Sequence, residues 1–272
     1  MHDRTTAVGV AAGRAGFAEA VRAEWVKFRT VRGTVIATLV TITVGVLFGF
    51  LLGSNTVRSY LESTPAERAD FDPMMATLRP FIMAMIAVAV IGVLAVTSEY
   101  ASGTIRVSAV AVPSRPRLFA AKTAVVGAVV LAAGQVTTFL AFFVSQSALA
   151  RANLPSLTLA GPGVMRAVAG GGLCLTLMAL FGVAIGFLVR FTSGAVAITT
   201  VVTILPALAD ALFPEWLRDL VVKYWPSSAG LRMAALRPNP DLLTPGAGFA
   251  LLSGYVAVLL LIALTAFRTR DV

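Results

Sequence analysis

The chain has 272 residues, 58% of them hydrophobic and 13% charged, about half the charged share of an ordinary soluble domain. Its mean hydropathy is +0.87, which excludes an ordinary soluble enzyme and predicts a chain that lives in a bilayer. The net charge of +9 does not point to nucleic acid, because the basic residues lie beside apolar runs and form no compact basic face with interleaved aromatics; anionic lipid headgroups account for it better.

Ahead of the first apolar run, Phe17, Ala20, Val21, Trp25 and Phe28 recur at helical spacing while Arg22, Lys27 and Arg29 hold polar positions. Gly16 to Arg32 therefore reads as an amphipathic interfacial helix. Glu24, Trp25, Lys27 and Arg29 are its candidate interfacial residues, with Trp25 at headgroup level. The alternative is a positively charged anchor with no fixed helix. Residues 1–32 then form a tail and lead-in helix, and residues 33–272 a single membrane domain.

Runs of about 20 residues without charge number six: Gly33 to Gly53, Pro80 to Thr97, Thr123 to Ala150, Ala167 to Val189, Gly194 to Ala209 with an extension to Phe213, and Gly246 to Phe267. The first is 21 residues long, beyond the ~7–15 apolar residues of a signal peptide, and reads as a retained span. Six spans place both termini on one side. The N-terminal tail, the second and fourth loops and the C-terminal tail hold 13 basic residues against 5 acidic, and the other three loops 9 against 8. The basic excess assigns both termini to the cytoplasm.

Ser54 to Arg79 reads as a solvated connection. Between the second and third spans, Ser98 to Lys122 is a basic loop with Arg106, Arg115, Arg117 and Lys122 against Glu99. Gly103 allows a turn there, and Ser114 with Pro116 suits the start of the next helix. Further on, Pro214 to Tyr224 sets Trp216, Leu217, Leu220, Val221 and Tyr224 on one face of a short helix delimited by Pro214 and Pro226.

Several chemistries are closed by residue inventory. The one histidine is His2, the one cysteine is Cys174 inside an apolar run, and there is no phosphate-binding Gly-x-x-x-x-Gly-Lys-Ser/Thr loop. No catalytic triad, cysteine-built metal site, ATPase site or carboxylate pair within a span is available. The six uncharged runs also lack the ionisable relays of ion-coupled carriers. Were the chain to transport, its energy would come from a partner outside the bilayer. Gln135, Thr138, Gln146, Thr200 and Thr203 are candidates to line a route, and interhelical hydrogen bonding is the plainer reading. Gly45, Gly49 and Gly53, and separately Gly182 and Gly186, are spaced for close helix contact, either within one chain or between subunits.

Glu99-Tyr100-x-Ser102-Gly103-Thr104-Ile105, followed by Pro113-Ser114-Arg115 and Lys122, resembles the loop between the second and third spans of ABC-2-type exporter permeases, particularly small actinobacterial ones. Ala23-Glu24-Trp25-x-Lys27-Phe28-Arg29-Thr30 is similar to that family's lead-in helix. The order and spacing of these features, with the helical segment before the last span, extend the resemblance over nearly the whole chain. It implies an all-α integral membrane protein of the type V, ABC-2-like kind, with six transmembrane helices and an N-terminal amphipathic interfacial helix. It further implies a permease subunit in the cell membrane that hydrolyses no ATP and carries no cofactor. ATP and Mg would sit on a separate ABC ATP-binding subunit, and a second permease subunit, identical or different, would complete the route. Glu99, Gly103, Thr104, Ile105 and Arg106 are then the residues that couple to the ATPase partner. A multi-pass membrane-organising or regulatory protein without transport is the rival expectation, and a membrane-embedded enzyme a weaker third.

Overall fold

The computed structural model of the protein describes residues 16–30, 55–69, 71–78, 81–112, 114–237 and 239–270, together with five separate positions at 36, 39, 43, 47 and 51. The run Gly33 to Gly53, and with it Gly45, Gly49 and Gly53, lies outside the described residues apart from those five positions, which are helical and exposed. Among the described residues all regular structure is helical, and five helical segments are long and apolar enough to cross a membrane.

The first helix, α1, covers Phe17–Thr30. The spanning helix α2 covers Phe81–Ala101, a short helix α3 covers Thr104–Ala111, and α4 covers Arg115–Arg151. After α5 (Val164–Val189) and α6 (Thr192–Ile204), a turn of 3-10 helix and a further helical turn carry the fourth apolar segment on to Leu212. Two short helices, α7 (Glu215–Tyr224) and α8 (Pro226–Arg232), precede the last spanning helix α9 (Pro245–Thr269).

Helix α5 is the centre of the bundle, with 67% of its most apolar stretch buried, against 22% for the segment beginning with α6 and for α9. Its small residues explain why. A Cβ on Gly182 would stand 2.1 Å from Ala89 O of α2, and one on Gly92 of α2 would stand 1.9 Å from Ala179 O of α5. The two backbones touch at reciprocal glycine–alanine contacts. Lipid tails are as apolar as leucine, so this close packing, rather than escape from water, holds the pair. Gly182 and Gly186 thus pack within the chain.

At one end of the bundle Phe119, Phe187 and Phe267 bring α4, α5 and α9 together, with ring centroids 4.7 to 6.5 Å apart. The same end is tied by Arg115, whose Nη1 donates to the carbonyls of Phe267, Arg268 and Arg270 and so caps α9. At the far end Met74, Leu78, Phe142, Val164, Val168 and Ala234 form a second buried cluster.

That cluster corrects the solvated connection expected before α2. Thr64 and Glu67 close a reciprocal capping box at the start of Pro65–Ala69. The next short helix, Pro73–Leu78, docks on α4 through Thr77 Oγ1 and Ser145 Oγ, 2.8 Å apart, and through Gln146 Nε2, which donates to Pro73 O. Its two anchors, Met74 and Leu78, directly follow the acidic residues Glu62, Glu67, Asp70 and Asp72, which gave the segment its solvated look.

Candidate functional site

The stretch from Ser98 to Lys122 is mostly helix. Charge at Glu99 and Lys122 bounds the second uncharged run at Thr97 and the third at Thr123, yet α2 continues to Ala101 and α4 begins at Arg115. With 37 residues α4 is about 55 Å long at 1.5 Å per residue, well beyond a ~30 Å hydrocarbon core. Glu99 and Lys122 therefore belong to spanning helices, near their ends. Such placement is costly for a lone charge, and it is tolerated here because the two are paired.

Lys122 Nζ donates to Glu24 Oε2 at 2.6 Å and to Glu99 Oε1 at 2.7 Å. Lys27 Nζ donates to Glu24 Oε1 at 2.6 Å, to Glu99 Oε1 at 3.2 Å and to Ser108 Oγ at 2.7 Å. Ser108 Oγ passes the chain on to Thr104 O at 3.0 Å. Two acids and two bases from α1, α2 and α4, with a hydroxyl from α3, thus make one charge-balanced network. Glu24, Glu99, Ser108 and Lys122 are all buried. Glu99 Oε2 is also buried, and among the described residues no donor reaches it.

On α1, outside the spans, burial pushes the Glu24 carboxyl upward, but the charge of Lys122 and hydrogen bonds from Lys122 and Lys27 outweigh it and hold Glu24 below its ordinary value. Burial pulls Lys27 down, and hydrogen bonding and attraction to Glu24, with a further contribution from Glu99, raise it instead. Both groups are fixed in their charged forms.

The inward face of α1 is thus Ala20, Glu24 and Lys27, spaced four and three apart, while Phe17, Trp25 and Val26 are exposed. The apolar periodicity found the helix, and Ala20, Val21 and Phe28 of its apolar set pack against the core; what it left out are the two charged residues, Glu24 and Lys27, on the same side. The signal was present as Glu24-x-x-Lys27 set against Glu99 and Lys122. Arg29 is exposed and joins no described ion pair of this cluster.

Of the five residues named for partner coupling, Glu99 and Ile105 point inward. Gly103 takes φ +69° and turns the chain from α2 into α3 with open space around it. Thr104 and Arg106 are exposed, as are Val107 and Val110, which are 70% and 81% accessible. Ser114 occupies the cap of α4 with Pro116 in the first turn, but its hydroxyl makes no cap bond; its carbonyl receives Arg117 N and Leu118 N instead.

The network lines a half-open cavity of about 600 Å³ between α1, α2, α3 and α4. The rest of its wall is mostly apolar, with Ala20, Ala23, Leu118, Val125 and Val126, and also includes Ser98, Ser102 and Thr104.

Four of the five polar residues considered for a route make hydrogen bonds within the bundle. Thr138 and Thr203 donate to the carbonyls four residues back, Gly134 and Thr199. Gln135 Nε2 donates to Ala169 O, and Gln146 joins Pro73, Thr77 and Leu157. Thr200 is half-buried on α6. Helix α7 carries Trp216, Leu220 and Tyr224 exposed, with Val221 turned inward.

No protein-family model matches the chain, and no curated protein matches it.

Proposed function

We propose that the chain is the membrane-spanning, non-hydrolysing subunit of an ABC-2-type exporter in the cell membrane, with six spans, both termini in the cytoplasm and a separate ATP-binding subunit docked on α3. The observation that carries this reading is the two-sided character of α3. Its outer side bears Arg106, Val107 and Val110, an apolar and basic patch of the kind that marks an interaction surface. Its inner side is fixed by buried Ile105 and by Ser108, which Lys27 holds at 2.7 Å. A force on α3 therefore reaches α1, α2 and α4 through buried polar bonds rather than through a slack loop. The missing ATPase residues and the lack of charge in the central parts of the spans fit an energy source outside this chain.

In this reading two membrane subunits pair around the route, and ATP with Mg is held entirely by the partner. The test is co-purification of the chain, extracted from its native membrane, with an ATP-hydrolysing protein. Deleting Gly103 to Arg106 is expected to abolish association while the membrane protein remains inserted. Absence of ATP hydrolysis in the purified complex, or association that survives the deletion, overturns the proposal.

A further inference from the structure

We propose that the arginines gathered where α4 begins and α5 and α9 end form a binding site for the headgroup of an anionic phospholipid. Phe119, Phe187 and Phe267 pack together from these three helices. Arg115 lies four residues before the first of them, and Arg190 and Arg270 lie three residues after the other two. At about 5.4 Å per helical turn, the three arginines stand about one turn beyond the last apolar layer that the helices share. They also converge. Arg115 Nη1 donates to Arg270 O at 2.7 Å, Arg270 Nη1 donates to Leu188 O at 3.3 Å, and Arg190 lies over the ring of Tyr100, 5.4 Å from its centre. Arg268, exposed beside them, adds a fourth positive charge.

The charge at this end selects the sign of the ligand. Arg115 and Arg270 make their described hydrogen bonds through Nη1 alone and only to main-chain carbonyls, which hold a guanidinium in place without neutralising it. Among the described residues no carboxylate pairs with Arg115, Arg268 or Arg270. Glu99, next to Tyr100, is already held by Lys27 and Lys122. A guanidinium has five N–H groups, so Nε and Nη2 remain to grip two oxygens of one phosphate, the geometry that arginine suits. The position selects the source of that phosphate. These arginines stand at the ends of helices long and apolar enough to cross a membrane, the depth at which a bilayer carries its phosphates, and basic pockets between spanning helices take anionic headgroups. The net charge of +9 favours anionic lipid only in general, whereas these side chains localise it to one built site. The inference rests on the helices crossing a bilayer and not on the chain being a transport subunit.

The experiment is native mass spectrometry of the full chain in detergent micelles, titrated with dioleoyl phosphatidylglycerol, dioleoyl phosphatidylcholine and glycerol phosphate, which has the phosphate without the tails. It is repeated on Arg268→Gln, on Arg268→Gln combined with Arg270→Gln, and on Arg58→Gln, which removes a positive charge paired with Glu62 outside this cluster. One phosphatidylglycerol is expected to bind at least about tenfold more tightly than phosphatidylcholine, the scale of one hydrogen bond to a charged group. Arg268→Gln is expected to weaken it about threefold, the double change to bring it to the level of phosphatidylcholine, and Arg58→Gln to leave it unchanged. Equal binding of the two lipids, binding of phosphatidylglycerol that survives the double change, or equal weakening by Arg58→Gln overturns the proposal. Glycerol phosphate bound as tightly as phosphatidylglycerol makes this a site for free phosphate and overturns it too. Should the double change fail to fold, Arg268→Gln, whose side chain makes no described bond, and the three ligands decide it.

Discussion

Lys122 of α4 holds Glu24 of α1 at 2.6 Å, with both side chains no more than 5% exposed. This contact fastens α1 to the long apolar helix α4. Removing one partner leaves the other charged and buried, a change that generally costs about 3–5 kcal/mol. Lys122→Met is expected near the lower end of that range, because Lys27 still compensates Glu24. The double change Glu24→Gln with Lys122→Met should recover much of the loss. Thermal unfolding of the four proteins in detergent measures the coupling.

The pH dependence follows from the same network. Glu24 is held below its ordinary value of 4.5, so its contribution is present above that value and is lost as pH falls through the lower, folded-state value. Lys27 is raised above its ordinary 10.5, so its contribution is full below that value and is lost as pH rises beyond it. Attachment of α1 is expected to be constant between these two limits and to weaken outside both. Protease sensitivity of the segment around Thr30, followed across pH, reads this directly.

The contact between α2 and α5 makes a second demand. Gly92→Ala and Gly182→Ala each drive a methyl group into a backbone carbonyl, an obstacle that no side-chain rotation removes. Each is expected to lower stability by about 1–3 kcal/mol or more. Gly254→Ala, whose Cβ meets open space within α9, is expected to be neutral or slightly stabilising. Melting in detergent separates the two classes.

At Gly103 the constraint is conformational rather than steric, since φ is +69° and nothing lies within 4 Å of a built Cβ. Gly103→Ala is expected to cost about 1–2 kcal/mol and Gly103→Asn less, because Asn visits this region more readily. Hydrogen exchange across Thr104–Ala111 should rise in the same order, with little change in the spanning helices.

Much of the architecture was legible in the residues. Uncharged runs located the segments that became α2, α4, α5, α6 and α9, since length and apolarity are what a bilayer demands. The same criterion misplaced Glu99 and Lys122 in a loop. A rule that ends a span at a charge cannot register two charges that neutralise each other across helices. Helix α8 was missed for a different reason. Pro226, Ser227, Ser228, Ala229 and Gly230 are buried, but they are small rather than strongly apolar. Their role appears only in contacts, such as Gly230 against Cys174 and Gly248 against Ala229. The turn at Gly103 and the lead-in helix were found by pattern, while the half-open cavity beside them needed four separate elements in place.

The docking role assigned to α3 is tested most directly by photo-crosslinking from single positions of that helix in intact cells. A photoreactive residue in place of Val107 or Val110, both widely exposed, is expected to capture an ATP-binding protein. The same residue in place of buried Ile105 should yield only crosslinks within the chain. Crosslinks from Val107 and Val110 that reach lipid alone, or this chain alone, would contradict the docking of an ATPase on α3.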